Sequence, residues 1–384
     1  MNPFVFTTDT QIVFTYDFGE LILDKLSDLS TSSILILTDL GIAKQDFFKV
    51  FLHNINQIEA KITLFDTITS DAEVTIVESI TRIAIDNACD LILAIGGGSV
   101  IDTAKLVNIG LTLKDTEILN YQGINSITQK LKPLWVVPTT AGTGSEVSLV
   151  AVAKDNASNK KIFFGSHCLA SEYAILDPNL LVTLPKFLTA ATGMDAITHA
   201  IEAYTSINSN SPITDSLCIG ALNNLFTYLP IAYNEPTNLS AREQTLIAST
   251  MAGLAFSNSG VGVVHALAHA IGAKYNTHHG ATNAVFLLPG IKFNSQNSQS
   301  YYDDLSYKVF NNRNANQEFL CVKISELLAT LELPLNLKSL GLPQLTNEDI
   351  EELAQTALVD PSLMFNPVEA SLEDLKELII NSYN

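Results

Sequence analysis

Cysteine is scarce and scattered in this chain. The four present, Cys89, Cys168, Cys218 and Cys321, form no CxxC pair. That excludes a zinc knuckle and a disulfide framework, and it fits a reducing compartment. Long apolar runs are also missing, since none approaches the roughly 20 residues that a membrane helix requires. The opening stretch MNPFVFTTDTQIVF lacks a basic segment followed by a continuous apolar core. No signal peptide is therefore expected, and the expectation is a cytoplasmic protein with no membrane partner. Positive charge is in short supply: 21 Lys and Arg stand against 40 Asp and Glu, for a formal net charge of -19. A phosphate backbone repels such a surface, so nucleic acid is set aside as a partner. The acidic residues are spread along the chain and form no tail, which points to solubility. Neither a GxGxxG fingerprint nor an internal repeat is present.

What is there describes a folded protein. The chain has 384 residues, 47% hydrophobic and 16% charged, enough for two domains. In the first half, strand-like runs (34–39, 61–65, 90–98 and 133–140) alternate with helical patterns (71–88 and 99–111). Strand, helix, strand in repetition predicts a parallel sheet covered on both faces. Beyond Pro185 the segments become long, rich in Ala and Leu, and helical in period. The expected fold is an α/β nucleotide-binding domain with a parallel sheet over 1–184 and an all-α domain over 185–384. The polar stretch NSQNSQSYYDD (294–304) reads as a surface connection.

Two glycine-bearing turns follow predicted strands. In GGGSVID (96–102), Gly97, Gly98 and Ser99 open a helix, where glycines allow close backbone approach and the first amides face an anion. In PTTAGTGSE (138–146), Thr139, Thr140 and Thr143 add hydroxyls to a second such turn. Two polar turns at strand ends are what a nucleotide needs at the edge of an open α/β sheet. Asp39 ends the run ILILTD, where a carboxylate accepts from a ribose 2′-OH and repels a 2′-phosphate, favouring NAD over NADP. The plainer reading is an Asp that caps the turn Asp-Leu-Gly.

Histidines concentrate in two helical segments. In GMDAITHAIEAY (193–204), Asp195 and His199 are four residues apart and share a helix face. In GVVHALAHAIGAKYNTHHG (262–280), His265 and His269 repeat that spacing, and His278 and His279 precede Gly280. A lone helical histidine is more often a satisfied packing residue. Here several lie among Ala, Ile and Gly, which supply no polar partners, and a shared metal accounts for them together. A carboxylate with three imidazoles suits Fe²⁺ or Zn²⁺ with one position open to substrate.

With these motifs in order, the chain resembles the iron-containing, group III alcohol dehydrogenases over nearly its whole length. GGGSVID, PTTAGTGSE, DPNLLVTLP, ATGMDAITHAIEAY, GVVHALAHAIGAKY, HHGATNAVFLLP and FNPVEASLEDL carry the likeness. The resemblance implies a nucleotide-binding α/β domain, a helical domain, an active site between them, and a homodimer. It implies Asp195, His199, His265 and His279 as metal ligands and His269 as an active-site histidine that is not a ligand. Cofactor contacts are implied at Asp39, Asp71, Gly97, Gly98, Ser99, Thr139, Thr140, Thr143 and Lys161. Three departures stand out: Thr15 replaces a glycine of the opening strand, TITSDAE (67–73) lacks the prolines the family carries around Asp71, and the segment around 294–316 is unusually rich in Asn, Gln and Ser.

The expected activity is hydride transfer between NAD(H) and a small primary alcohol or aldehyde, with Fe²⁺, or alternatively Zn²⁺, acting on the oxygen. His269 is the expected proton carrier. The rival readings are a glycerol-dehydrogenase-like or other polyol or hydroxyacid enzyme, a metal-free reductase of the maleylacetate type, a dehydroquinate-synthase-type enzyme, and a non-catalytic assembly protein on the same fold.

Overall fold

The computed structural model describes residues 3–158, 160–207 and 209–384. Met1 and Asn2, the first two residues of the amino-terminal stretch read above, lie outside it. The chain forms two compact units. An α/β unit comprises Thr8–Thr140 and Ser145–Leu181, and a helical unit comprises Val182–Asn384 with residues 3–7 and Ala141–Gly144.

The strands of the α/β unit are β1 (Gln11–Phe14), β2 (Ser33–Leu37), β3 (Lys61–Phe65), β4 (Leu91–Gly96), β5 (Gly123–Ile124), β6 (Leu134–Pro138), β7 (Val150–Asp155), β8 (Lys160–Gly165) and β9 (Tyr173–Leu176). Its helices are α1 (Phe18–Ser27), α2 (Leu40–Ala43), α3 (Asp46–Ile55), α4 (Val74–Asp86) and α5 (Gly98–Leu113). The main sheet is parallel, in the order β1-β9-β6-β4-β2-β3. Every residue of β2, β4 and β6 is buried. A strand covered on both faces has no polar alternation, which is why these three read as unbroken apolar runs.

Because β2, β4 and β6 are parallel neighbours, their carboxyl ends lie along one edge, with Leu37 opposite Ala94 and Gly96 opposite Pro138. Asp39, Gly97–Ser99 and Thr139–Thr140 follow those ends directly. The hydroxyl of Thr38 donates to the Ile95 carbonyl at 2.7 Å, and the Thr139 amide donates to that of Gly96 at 3.0 Å. These bonds tie the three turns together.

One buried cation secures the unit. Lys105 on α5 is fully buried, and its Nζ donates to the Ser148 carbonyl (2.7 Å), the Ser148 hydroxyl (2.9 Å) and the Val150 carbonyl (2.9 Å). Burial pushes its ammonium down to about 8 against the opposing pull of Asp102 and Glu146. These bonds hold α5 to the segment that enters β7.

The helical unit contains α6 (Lys186–Thr205), α7 (Pro212–Asn234), α8 (Leu239–Ser259), α9 (Val263–Tyr275), α10 (His279–Phe310), α11 (Gln317–Thr330), α12 (Asn347–Leu358) and α13 (Leu372–Asn381). Starts are set by capping boxes at Ser211, Thr346 and Ser371, with Pro212 at the first position of α7. From Thr189 to Thr205 every residue of α6 is buried, as befits a helix surrounded by others. Among the described residues no single helix is long and apolar enough to cross a membrane.

The stretch 294–304 is not a surface connection. It is helical and lies within α10, which bends at Ser298. Asn294, Ser298, Tyr302 and Leu305 are buried at near four-residue spacing, and Asn294 exchanges amide hydrogen bonds with Asn366 at 3.0 and 2.7 Å. Tertiary satisfaction of a few polar side chains outweighs the turn-forming composition.

Removing Lys105 leaves its acceptors and the nearby carboxylates uncompensated in the interior. Lys105→Ala is expected to lower unfolding free energy by about 3 kcal/mol, read as a shift in the urea midpoint at unchanged m. An unchanged midpoint would remove Lys105 as the tie.

Candidate metal centre

Three helices converge on one polar pocket of the helical unit. α6 contributes Asp195, His199 and Glu202, spaced four and three residues apart and so on one face. α9 contributes His265 and His269, and the first turn of α10 contributes His279 and Asn283.

Glycines let these helices approach. A Cβ on Gly280 would lie 2.1 Å from the Ala191 carbonyl oxygen and 3.1 Å from the Asp195 Cβ, so only glycine allows α10 to start against α6 here. Gly260, at φ +81°, ends α8, and its amide closes on the Phe256 carbonyl. The chain then turns through 101° into α9, with Gly262 as its N-cap.

Asp195, His265 and His279 each offer a donor atom, and the three atoms lie within 4.8 Å of one another. Asp195 Oδ1 is 3.9 Å from His265 Nε2 and 3.6 Å from His279 Nε2. The Asn283 amide stands among them, donating to Asp195 Oδ1 at 2.7 Å and lying 3.2 Å from both ring nitrogens. The Nδ1 atoms of both α9 histidines meet carboxylates. His265 Nδ1 is 2.5 Å from Glu202 Oε2, and His269 Nδ1 is 2.9 Å from Asp360 Oδ2.

His199 stands beside this group and outside the converging triad. Its ring is stacked between Phe256 (4.3 Å) and His265 (4.6 Å), and its Nδ1 has no hydrogen-bond partner among the described residues. Burial pushes this imidazole down to about 4 against the opposing charge of Asp195. Burial acts in the same direction on His265, but the Glu202 carboxylate outweighs it and leaves that imidazole above its usual range. The His269 ring lies parallel to that of His279, with centroids 5.1 Å apart.

The pocket is set up for a cation. Asp195, Glu202 and Asp360 each keep their side chains at most 7% exposed. Their side-chain partners here are imidazoles, the Asn283 amide and Ser362, with no Lys or Arg ion pair among the described residues. Three buried carboxylates with no Lys or Arg beside them favour a cation among them. Oxygen and imidazole donors suit a divalent transition metal.

In the α/β unit, Gly97 caps α5 and Gly98 and Ser99 form its first residues. A Cβ on Gly97 would lie 3.2 Å from the Thr140 side chain, so the two turns are in close contact. The Ser99 hydroxyl donates to the Ser70 carbonyl. Asp39 caps α2, with its Oδ1 accepting from the Gly41 (2.7 Å) and Ile42 (3.0 Å) amides. Asp71 and Lys161 face each other at 3.5 Å. Thr143 lies between two glycines with structural duties. A Cβ on Gly142 would be 2.4 Å from Thr192 Cβ, and one on Gly144 would be 2.4 Å from Gly253 Cα. Both belong to the stretch Ala141–Gly144, which groups with the helices. Close helix packing is thus enough to require these two glycines.

Glu202, Asn283 and Asp360 were missed by the sequence reading. Glu202 had a local signal, since it shares the Asp195 face at i+7. Asn283 sits four residues after His279. Asp360, 91 residues from His269, had none.

A parallel α/β unit with glycine-bearing turns at its strand ends, followed by a helical unit with a carboxylate–imidazole pocket, fits an enzyme that uses a nucleotide and a metal. Residues 9–178 match the iron-containing alcohol dehydrogenase profile, and residues 189–383 match the Fe-containing alcohol dehydrogenase family, C-terminal. The chain belongs to the iron-containing alcohol dehydrogenase family and is an oxidoreductase of that family. It is 32% identical over 363 residues to the NAD-dependent methanol dehydrogenase of Bacillus methanolicus, covering 93% of this chain and 94% of that one. It is 38% identical over 290 residues to the probable alcohol dehydrogenase EutG of Escherichia coli K12, covering 76% and 72%. A crystal structure of 1,3-propanediol oxidoreductase superposes with a TM-score of 0.93 at 29% identity, covering 100% of both chains.

The Gly280 contact allows a direct test of the geometry. Gly280→Ala is expected to displace the start of α10 and lower affinity for added Zn²⁺ at least tenfold in equilibrium dialysis. Wild-type affinity in that variant would show that the helix approach does not set the pocket.

Proposed function

We propose that the chain is an NAD-linked alcohol dehydrogenase that interconverts a small primary alcohol and its aldehyde with a divalent metal, Fe²⁺ or alternatively Zn²⁺. The observation that carries this reading is the group of buried carboxylates and imidazoles, with no Lys or Arg paired to them among the described residues. Family membership sets the reaction class.

In this reading Asp195, His265 and His279 hold the metal, and His199 from the same face of α6 is the fourth ligand. When bound, the metal supplies Lewis acidity at the substrate oxygen, and the nicotinamide supplies the hydride acceptor or donor. Asp39, Gly97, Gly98, Ser99, Thr139, Thr140 and Thr143 hold the dinucleotide, with Asp71 and Lys161 beside it. The shared edge formed by the ends of β2, β4 and β6 favours that assignment for Asp39, Gly97–Ser99 and Thr139–Thr140. Residues 1–184 and 185–384 then divide the work into cofactor binding and metal binding.

His269 moves the proton. Its Nδ1 is committed to Asp360, so transfer runs through Nε2. Burial tends to raise the Asp360 carboxyl, but the His269 interaction outweighs it and holds it below its usual range. Asp360 therefore remains an acceptor that fixes the ring. The reading includes a homodimer in the cytoplasm, with neither nucleic acid nor membrane as partner. A net charge of -19 argues against nucleic acid, and four cysteines without a disulfide fit a reducing cytoplasm.

Metal analysis with an NADH absorbance assay on a panel of small alcohols tests the proposal. Purified protein is expected to carry close to one transition metal per chain, and His265→Ala to lose both metal and turnover. Binding is expected to weaken at acid pH, because imidazoles coordinate only when neutral. Full activity without metal contradicts the reading. His269→Ala separates roles: metal and NAD binding are retained, turnover falls by ~10²–10⁴, and the pH–rate profile shifts. Loss of metal in that variant would make His269 a ligand.

A further inference from the structure

Glu202 occupies a position that the ligand assignment does not use. It lies on α6, seven residues beyond Asp195, and is buried. Its two oxygens have separate partners. Oε1 accepts from the Val264 amide at 2.7 Å, and Oε2 lies 2.5 Å from His265 Nδ1. Val264 is the second residue of α9, so its amide is one that the helix itself leaves without a carbonyl. A Cβ on Gly262 would sit 2.5 Å from Asn366 Oδ1 and 3.1 Å from Oε1, so the turn before α9 makes room for the Asn366 amide and, next to it, this carboxylate.

We infer that Glu202 is a positioning residue, which fixes His265 in the tautomer that turns its Nε2 lone pair toward Asp195 and His279. The inference rests on the metal reading above. A neutral imidazole has one N–H and one lone pair, and an acceptor-only carboxylate against Nδ1 draws the proton there. Nε2, 3.9 Å from Asp195 Oδ1, is then the nitrogen able to coordinate. The same carboxylate anchors the first turn of α9 to α6, so one side chain sets both where His265 stands and which atom it presents. Carboxylates behind coordinating histidines contribute in this way to metal affinity and ring orientation.

Glu202→Gln separates the two roles. Its amide oxygen still accepts from Val264, which preserves the helix anchor, while its NH₂ faces His265 Nδ1. Two donors cannot pair, so the ring shifts its proton to Nε2 and loses the coordinating lone pair. Full-length wild type and Glu202→Gln are stripped with chelator and titrated with Zn²⁺ against a chromophoric competitor. The expected result is a loss of ~10–100-fold in Zn²⁺ affinity with unchanged circular dichroism. Equal affinity in the two proteins overturns the inference while leaving the metal reading intact, and failure of the wild type to bind Zn²⁺ overturns both. A second measurement covers a Glu202 variant that does not fold. In the ¹⁵N-histidine spectrum of the metal-free protein at a pH where the ring is neutral, His265, assigned by its loss in His265→Gln, is expected to carry its proton on Nδ1. A proton on Nε2 overturns the inference.

Discussion

Negative charge buried where α6, α9 and α10 converge is the constraint on which the rest of the helical unit depends. Asp195 and Glu202 share one face of α6, Asp360 comes from far along the chain, and each is withdrawn from water. Removing a carboxylate from water costs several kcal/mol unless it is compensated. Imidazoles and one amide solve only part of that problem, because they satisfy hydrogen bonds without reliably supplying charge. A divalent cation among Asp195, His265 and His279 would supply it. The arrangement of helices follows, since each must bring its polar side chains to a point otherwise surrounded by Ala, Ile and Leu.

Glycine makes that approach possible, and at only a few positions. Gly280 admits the backbone of α6, and Gly260 and Gly262 turn the chain sharply into α9. Gly142 and Gly144 show the limit of reading glycine as a mark of ligand contact. Both lie in a turn rich in hydroxyls, yet close approach to Thr192 and Gly253 accounts for them. A glycine admits any close neighbour, whether ligand or helix.

Much of this was legible in the sequence because burial leaves a periodic trace. The strands β2, β4 and β6 stood out as apolar runs since both of their faces are covered. β1, β7, β8 and β9 did not, being short or only partly buried, and so lacking an uninterrupted apolar run. Asp195 with His199, and His265 with His269, announced themselves by four-residue spacing. The structure separates His199 from the converging atoms by stacking it on Phe256, a contact that spacing does not encode. Asp360 was invisible for the same reason, and the polar run 294–304 misled because its Asn and Ser are satisfied by distant partners.

X-ray absorption at the iron edge of the Fe²⁺-loaded enzyme tests the central claim most directly. The account predicts a shell of oxygen and nitrogen scatterers only, at about 2.0–2.2 Å, with the multiple-scattering signature of three imidazoles. Two imidazoles would remove His199 from the shell. A sulfur scatterer, or a shell of water oxygens without imidazole, would contradict the assignment of the metal to Asp195, His265 and His279.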